Sequence, residues 1–200
     1  MNNPNHPKKG SQIFVYPLIS KRLIKRIKQD LSESPRDLCL FIMGINMALR
    51  ASDLLSLKTE QVKHLSVGDV LRVHERKSKK LRNITINKSV REILNIWLDG
   101  YDGEWLFPSQ RGGNHLTVIS LSKMVKHWCT VAHVATGIPQ GVNNYGSHTL
   151  RKTFGYWQRM AGVPLPILTD ILKHSNQATT LIYLGIQPQE IEDVYLGTCL

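Results

Sequence analysis

Apolar residues recur at helical spacing along most of the chain. From Lys21 to Asp30 the apolar Leu23, Ile24 and Ile27, continued by Leu31, share one face, and Lys21, Arg22 and Lys25 occupy the other. That spacing predicts an amphipathic helix with a basic face. The stretch from Pro35 to Leu49 is almost wholly apolar from Leu38 onward, predicting a core helix whose end delivers Arg50. A short helix follows from Ser52. The period then changes to two: Val67 to Val73 and Asn83 to Asn87 alternate around the cationic turn Arg76-Lys77-Ser78-Lys79-Lys80, predicting a hairpin. Helical spacing returns near Lys88–Leu98, Thr117–Ala135, Ser147–Ala161, Pro166–Leu172, Thr179–Leu184 and Pro188–Tyr195, with a Gly/Asn-rich break from Gly137 to Gly146. The predicted fold is α+β, mainly α-helical with a small antiparallel β-sheet or hairpin.

Length and composition narrow this picture. Two hundred residues with 42% hydrophobic content suit one domain with a real core, here 16–200 behind a polar tail at 1–15. No apolar run approaches the roughly 18 residues of a membrane span, so no membrane partner is expected. The opening Met1 to Gly10 is polar and Pro-interrupted, unlike a signal peptide. Cys39, Cys129 and Cys199 are odd in number and widely spaced, which fits a reducing cytoplasm rather than a disulfide framework. Lys and Arg total 26 against 15 Asp and Glu, a net charge of +11. Such a surface attracts polyanions, so nucleic acid is the expected partner.

Candidate chemistry lies in two late segments and two earlier ones. Breaking a phosphodiester without a metal needs a nucleophile, cations for the non-bridging oxygens, and an acid for the leaving oxygen. Ser147-His148-Thr149-Leu150-Arg151 carries a His and an Arg one helical turn apart, a spacing that aims both side chains at one small volume. Leu172-Lys173-His174 leads through Thr179-Thr180 to Tyr183, a phenol able to form a covalent phosphoester. Arg50 and Arg151 suit a phosphate clamp because guanidinium is planar, forked and always charged. Lys77, at the hairpin tip, suits the acid. Each residue alone has a plainer reading: Tyr183 as packing, His148 and His174 as structural histidines, Arg50 as a helix C-cap, Arg76 to Lys80 as a solvated turn. Their joint occurrence in this order raises the sharper one. His127, Cys129 and His133 fall on divergent helical faces with no fourth ligand near, so neither a metal nor another cofactor is expected.

In their local contexts these residues resemble the catalytic domain of the tyrosine recombinase (phage integrase) family, over about 150 residues. Ala48-Leu49-Arg50-Ala51-Ser52-Asp53-Leu54-Leu55-Ser56-Leu57 resembles the family's first arginine box, with Ala48 where Gly is usual and Asp53 at the acidic position that supports the arginine. Lys77-Ser78-Lys79-Lys80 resembles its Lys-Thr-Gly-Lys turn, and Leu172-Lys173-His174 its Leu-Gly-His, again without the glycine. His148 to Arg151 matches His-x-x-Arg, and the interval from His174 to Tyr183 keeps the family's spacing.

The resemblance implies the tyrosine recombinase catalytic-domain fold and a site-specific DNA recombinase or integrase. Arg50, Arg151 and His174 would hold the scissile phosphate, His148 would help accept the tyrosine proton, Lys77 would protonate the leaving 5′ oxygen, and Tyr183 would carry the 3′ phosphate. Lys21, Arg22, Lys25, Arg76, Lys79, Lys80, Arg82 and Lys152 are the expected DNA-binding residues. The partners implied are double-stranded DNA and further copies of the chain, a dimer to tetramer on DNA, joined through a tail after Gln187 that packs on a neighbour. An N-terminal core-binding domain, usual in full-length relatives, has no counterpart in the 200 residues. Two other readings stay open: a DNA-binding regulator or inactive remnant, and a nicking and closing enzyme of the type IB topoisomerase kind.

Overall fold

In order along the chain run α1 (Lys21–Asp30), α2 (Pro35–Asn46), α3 (Ala51–Leu55), a 3-10 turn (Thr59–Gln61), β1 (Val70–His74), β2 (Leu81–Thr85), α4 (Lys88–Trp97), α5 (Val118–Thr136), α6 (Ser147–Met160), α7 (Leu165–Ile171) and α8 (Gln177–Leu184). This computed structural model describes residues 15–76, 79–110, 112–141 and 143–185, with 192 and 195–197. The mainly helical α+β prediction holds. The helix expected from Pro188 to Tyr195 lies largely outside the described residues, as does most of the polar N-terminal tail.

Local chemistry sets the helix starts. Side chains of Ser20, Asn87, Thr117 and Asn176 accept hydrogen bonds from the first turns of α1, α4, α5 and α8, and Pro35 opens α2 where its missing N–H costs nothing. Helix α2 stops at Asn46 rather than Leu49. Met47 closes the last turn onto the Met43 carbonyl, and Ala48 takes a left-handed conformation at φ 51°, which a right-handed helix cannot accommodate. Arg50 is therefore not the end of α2 but the extended residue that opens α3.

The hairpin is shifted too. Gly68, at φ 94°, and the Asp69 side chain, accepting from the Ser66 N–H at 2.7 Å, form a turn where strand was expected from Val67. Strand β1 then pairs antiparallel with β2, Val70 opposite Thr85 and His74 opposite Leu81. Alternation buries Leu71, Val73, Arg82 and Ile84 and exposes Arg72, His74 and Asn83.

The main core forms around Leu40, Phe41 and Met43 of α2, with Leu23 and Ile27 from α1, Leu94 from α4, Val125 and Cys129 from α5, and Leu150 from α6. Gly44 matters here, since a methyl group there would collide with Leu150. Helix α6 thus lies close on α2, and it also packs on α5, α7 and α8. A second small cluster of Ala48, Leu168, Leu172 and Leu184 seats α7 and α8 beside it. Gly155 allows that close approach, because a Cβ there would meet Leu184. Two packing contacts on one helix therefore position Arg151 and Tyr183. No helix among the described residues is long and apolar enough to cross a membrane.

Candidate active site

The first arginine is held by an acid absent from the sequence-derived set. Arg50 Nη1 pairs with Glu75 Oε2 at 2.6 Å, and Glu75 Oε1 takes Arg82 Nη1 at 3.3 Å. The Glu75 side chain has no solvent exposure. The support expected from Asp53 goes elsewhere: its Oδ1 accepts the Arg76 backbone N–H at 3.0 Å. Asp53 is buried and anchors the base of the hairpin turn, while Glu75 orients the arginine. Glu75 left one trace in the sequence, as the lone acid in a basic run entering the turn. Lys77 lies outside the described residues.

The second half of the site comes from α6 and α8. Arg151 is buried, and its Nη2 donates to the Leu172 carbonyl, which ties α6 to the end of α7. One turn earlier His148 is exposed, so the pair does not reach one depth: Arg151 lies in the floor and His148 on the rim. His174 Nδ1 meets the Thr180 hydroxyl at 3.0 Å, and Thr180 Oγ1 meets Thr169 Oγ1 at 2.9 Å. The adjacent threonines therefore do different work. Thr179 bonds the Asn176 cap of α8, whereas Thr180 fixes the His174 ring. The His174 and Tyr183 rings meet edge to face, centroids 4.9 Å apart.

Burial sets the electrostatics. It pushes the Tyr183 phenol up to about 12, opposed by Arg151 and Arg50. The Tyr183 hydroxyl and Arg151 Nη1 are both buried without a hydrogen bond of good geometry among the described residues, yet the guanidinium is near enough to favour phenolate. Burial pulls Arg151 down to about 10, still charged at neutral pH. It also pulls His174 down to about 4, with Arg151 and Arg50 adding to the effect. The guanidiniums of Arg50, Arg82 and Arg151 outnumber the acids Glu75 and Asp53 beside them, so the pocket favours an anion.

The expected DNA-binding residues divide. Lys21, Arg22 and Lys25 are exposed on α1, and Arg76, Lys79 and Lys80 are exposed on the hairpin turn. Lys21 also lies 5.2 Å over the Trp157 ring. Arg82 and Lys152 do not belong with them. Arg82 is buried, its donors spent on Glu75 and the Met47 carbonyl. Lys152 is buried with its ammonium 4.9 Å from the centre of the Tyr183 ring, inside the site rather than on the exposed surface. His127 is exposed and Cys129 buried, and the nitrogens of His133 meet the Ile138 carbonyl and the Tyr145 hydroxyl, each at 2.8 Å. No group of His, Cys, Asp and Glu among the described residues is arranged to hold a metal ion.

Comparison with known proteins bears on the family and the fold. The chain is 36% identical over 184 residues to a Bacillus subtilis (strain 168) protein named Probable integrase/recombinase YoeC, covering 91% of this chain and 96% of that one. It is 24% identical over 197 residues to the Staphylococcus aureus (strain MRSA252) tyrosine recombinase XerC, spanning 96% of this chain but 63% of XerC. Among solved structures the fold matches XerA recombinase with a TM-score of 0.73 at 22% identity, over 94% of this chain and 66% of that one. The catalytic domain of bacteriophage HP1 integrase matches at 0.55 and 20% identity, over 92% and 95%. The profile of the Phage integrase family matches residues 18–190. The chain belongs to the phage integrase family and is an enzyme of the tyrosine recombinase class.

Proposed function

We propose that this chain recombines double-stranded DNA at specific sites, cleaving and rejoining it through a 3′-phosphotyrosine at Tyr183, with residues 16–200 as one catalytic unit. The observation that carries the assignment of residues is the convergence of Arg50 and Arg151 on the Tyr183 hydroxyl, with His174 against the edge of its ring, where hydrogen-bonding capacity of both Arg151 and the phenol is buried and unspent. A phosphate diester supplies the acceptors such donors need. In the reaction the Tyr183 oxygen bonds to phosphorus as the bond to the 5′ oxygen breaks. His148 takes the phenol proton and Lys77 gives one to the departing 5′ oxygen. Arg50, Arg151 and His174 hold the non-bridging oxygens, whose charge grows in the transition state. Attack by a 5′ hydroxyl of a partner duplex reverses each step and exchanges strands. The phosphotyrosine conserves the bond energy, so neither a nucleotide nor a metal is required.

The DNA partner is supported by the net charge of +11 and by likeness to XerH, solved bound to its difH substrate, over 93% of this chain at a TM-score of 0.66. Assembly of two to four copies on DNA, linked through the segment after Gln187, completes the proposal. Incubation with a nicked suicide substrate tests it. A covalent protein–DNA adduct, followed by strand exchange between two labelled duplexes, is the expected outcome. Binding without an adduct would make the chain a regulator or remnant, and an adduct without exchange would make it a nicking and closing enzyme.

A further inference from the structure

Lys152 has no role in the chemistry derived above, yet it is among the most enclosed cations of the described residues, with 6% of its surface exposed. It follows Arg151 on α6, so the helix that supplies a phosphate clamp also directs a second cation inward. Its ammonium lies 4.9 Å from the centroid of the Tyr183 ring, within the range in which a cation is attracted to an aromatic face. The same ring meets His174 edge to face, and its hydroxyl lies toward Arg151 and Arg50. The nucleophile is thus bounded by Lys152 over its face and by arginines near its oxygen.

Resting on the reading of Tyr183 as the nucleophile, we propose that Lys152 is a positioning residue that holds the Tyr183 ring for attack and favours the negative charge the phenol acquires as it loses its proton. Two observations support this. Burial alone drives the phenol toward its neutral form, so a cation on the ring acts in the direction the chemistry needs. Burial also pulls Lys152 down to about 8, which still leaves the ammonium predominantly charged at neutral pH. A DNA-backbone role requires an exposed head group, and a leaving-group acid must reach the 5′ oxygen rather than the ring. Lys152 acts through the tyrosine.

Lys152→Met keeps the stem and removes the charge, and Lys152→Arg keeps the charge. With Met, half-site affinity stays within about twofold of wild type while single-turnover adduct formation at saturating DNA slows by roughly tenfold, the size of one cation–π contact of about 1.4 kcal/mol. Arg restores most of the rate. The Met defect persists on a 5′-bridging phosphorothioate substrate, whose sulfur leaves without a proton. A full rescue on that substrate would make Lys152 the acid, a matching loss of affinity would make it a DNA contact, and an unchanged rate would make it packing; each overturns the proposal. A double-mutant cycle of Lys152→Met with Tyr183→Leu, read by thermal unfolding without DNA, is expected to be non-additive. An additive cycle overturns the proposal even if the wild type forms no adduct and the functional reading itself has failed.

Discussion

Replacing Glu75 by Gln removes the negative charge that Arg50 and Arg82 pair with, and the structure fixes the consequence. Glu75 has no exposed side-chain surface, accepts from Arg50 at 2.6 Å and Arg82 at 3.3 Å, and faces the charge of Arg151. Gln fills the same volume but leaves Arg50 and Arg82 without the carboxylate they pair with. Breaking a buried pair from one side costs about 3–5 kcal/mol. Arg50 remains 21% exposed and recovers some hydration, so the lower figure applies. For a chain of this size about 3 kcal/mol lowers the melting temperature by roughly 6–12 °C. DNA affinity moves the other way or stays level, because the pocket becomes more positive. Adduct formation falls at least about tenfold, since Arg50 loses the acid that orients it. Thermal unfolding, half-site binding and single-turnover cleavage on one preparation read all three quantities. A variant that melts within about 2 °C of wild type and cleaves at the same rate would refute the idea that Glu75 holds the arginine.

Other substitutions probe single links. The His174 pKa is depressed from the usual 6.5 to about 4, so on acidification the unfolded chain binds a proton before the folded one does. Stability from this group is therefore complete above about pH 6.5 and is lost as pH falls toward 4; His174→Gln should flatten that part of the profile, and an unchanged profile would mean that His174 is not shielded. Lys173 is a non-glycine residue at φ 49°, partly exposed, and paired with an Asp170 that is 78% exposed. Lys173→Gly should relieve strain of about 1 kcal/mol at little ionic cost and raise the melting temperature by a few degrees; a fall would show that the lysine contributes more than the strain. Gly155→Ala drives a methyl against Leu184 and displaces α8, costing about 1–3 kcal/mol. Cleavage should suffer more than half-site binding, and equal losses would mean that the displacement does not reach Tyr183.

The sequence carried the elements and the order of the site residues because both reside in local pattern: helical spacing, alternation, and short motifs with fixed intervals. It could not carry partners made across the fold. Asp53 sits in the arginine box, but the acid that reaches Arg50 is Glu75, brought there by the strand β1. Arg82 and Lys152 read as two more surface cations among 26, and nothing local to them signals burial. The three positions where the family's glycine is missing are instructive. Ala48, Lys79 and Lys173 all take the left-handed conformation, at φ 51°, 57° and 49°, so these turns form without glycine; the Lys79 and Lys173 N–H groups bond the Glu75 and Asp170 carbonyls. At Ala48 the buried methyl packs with Leu168, Leu172 and Leu184, contributing about as much as the strain removes.

Every role assigned to the site depends on Tyr183 forming the covalent bond to DNA. Trapping the protein on a suicide substrate, digesting the adduct and locating the modified peptide by mass spectrometry tests it directly. Nucleotide is expected on Tyr183 alone, with no adduct from Tyr183→Phe and half-site affinity unchanged by that substitution. An adduct on Tyr156, Tyr195 or any other residue, or one that persists in Tyr183→Phe, would contradict it.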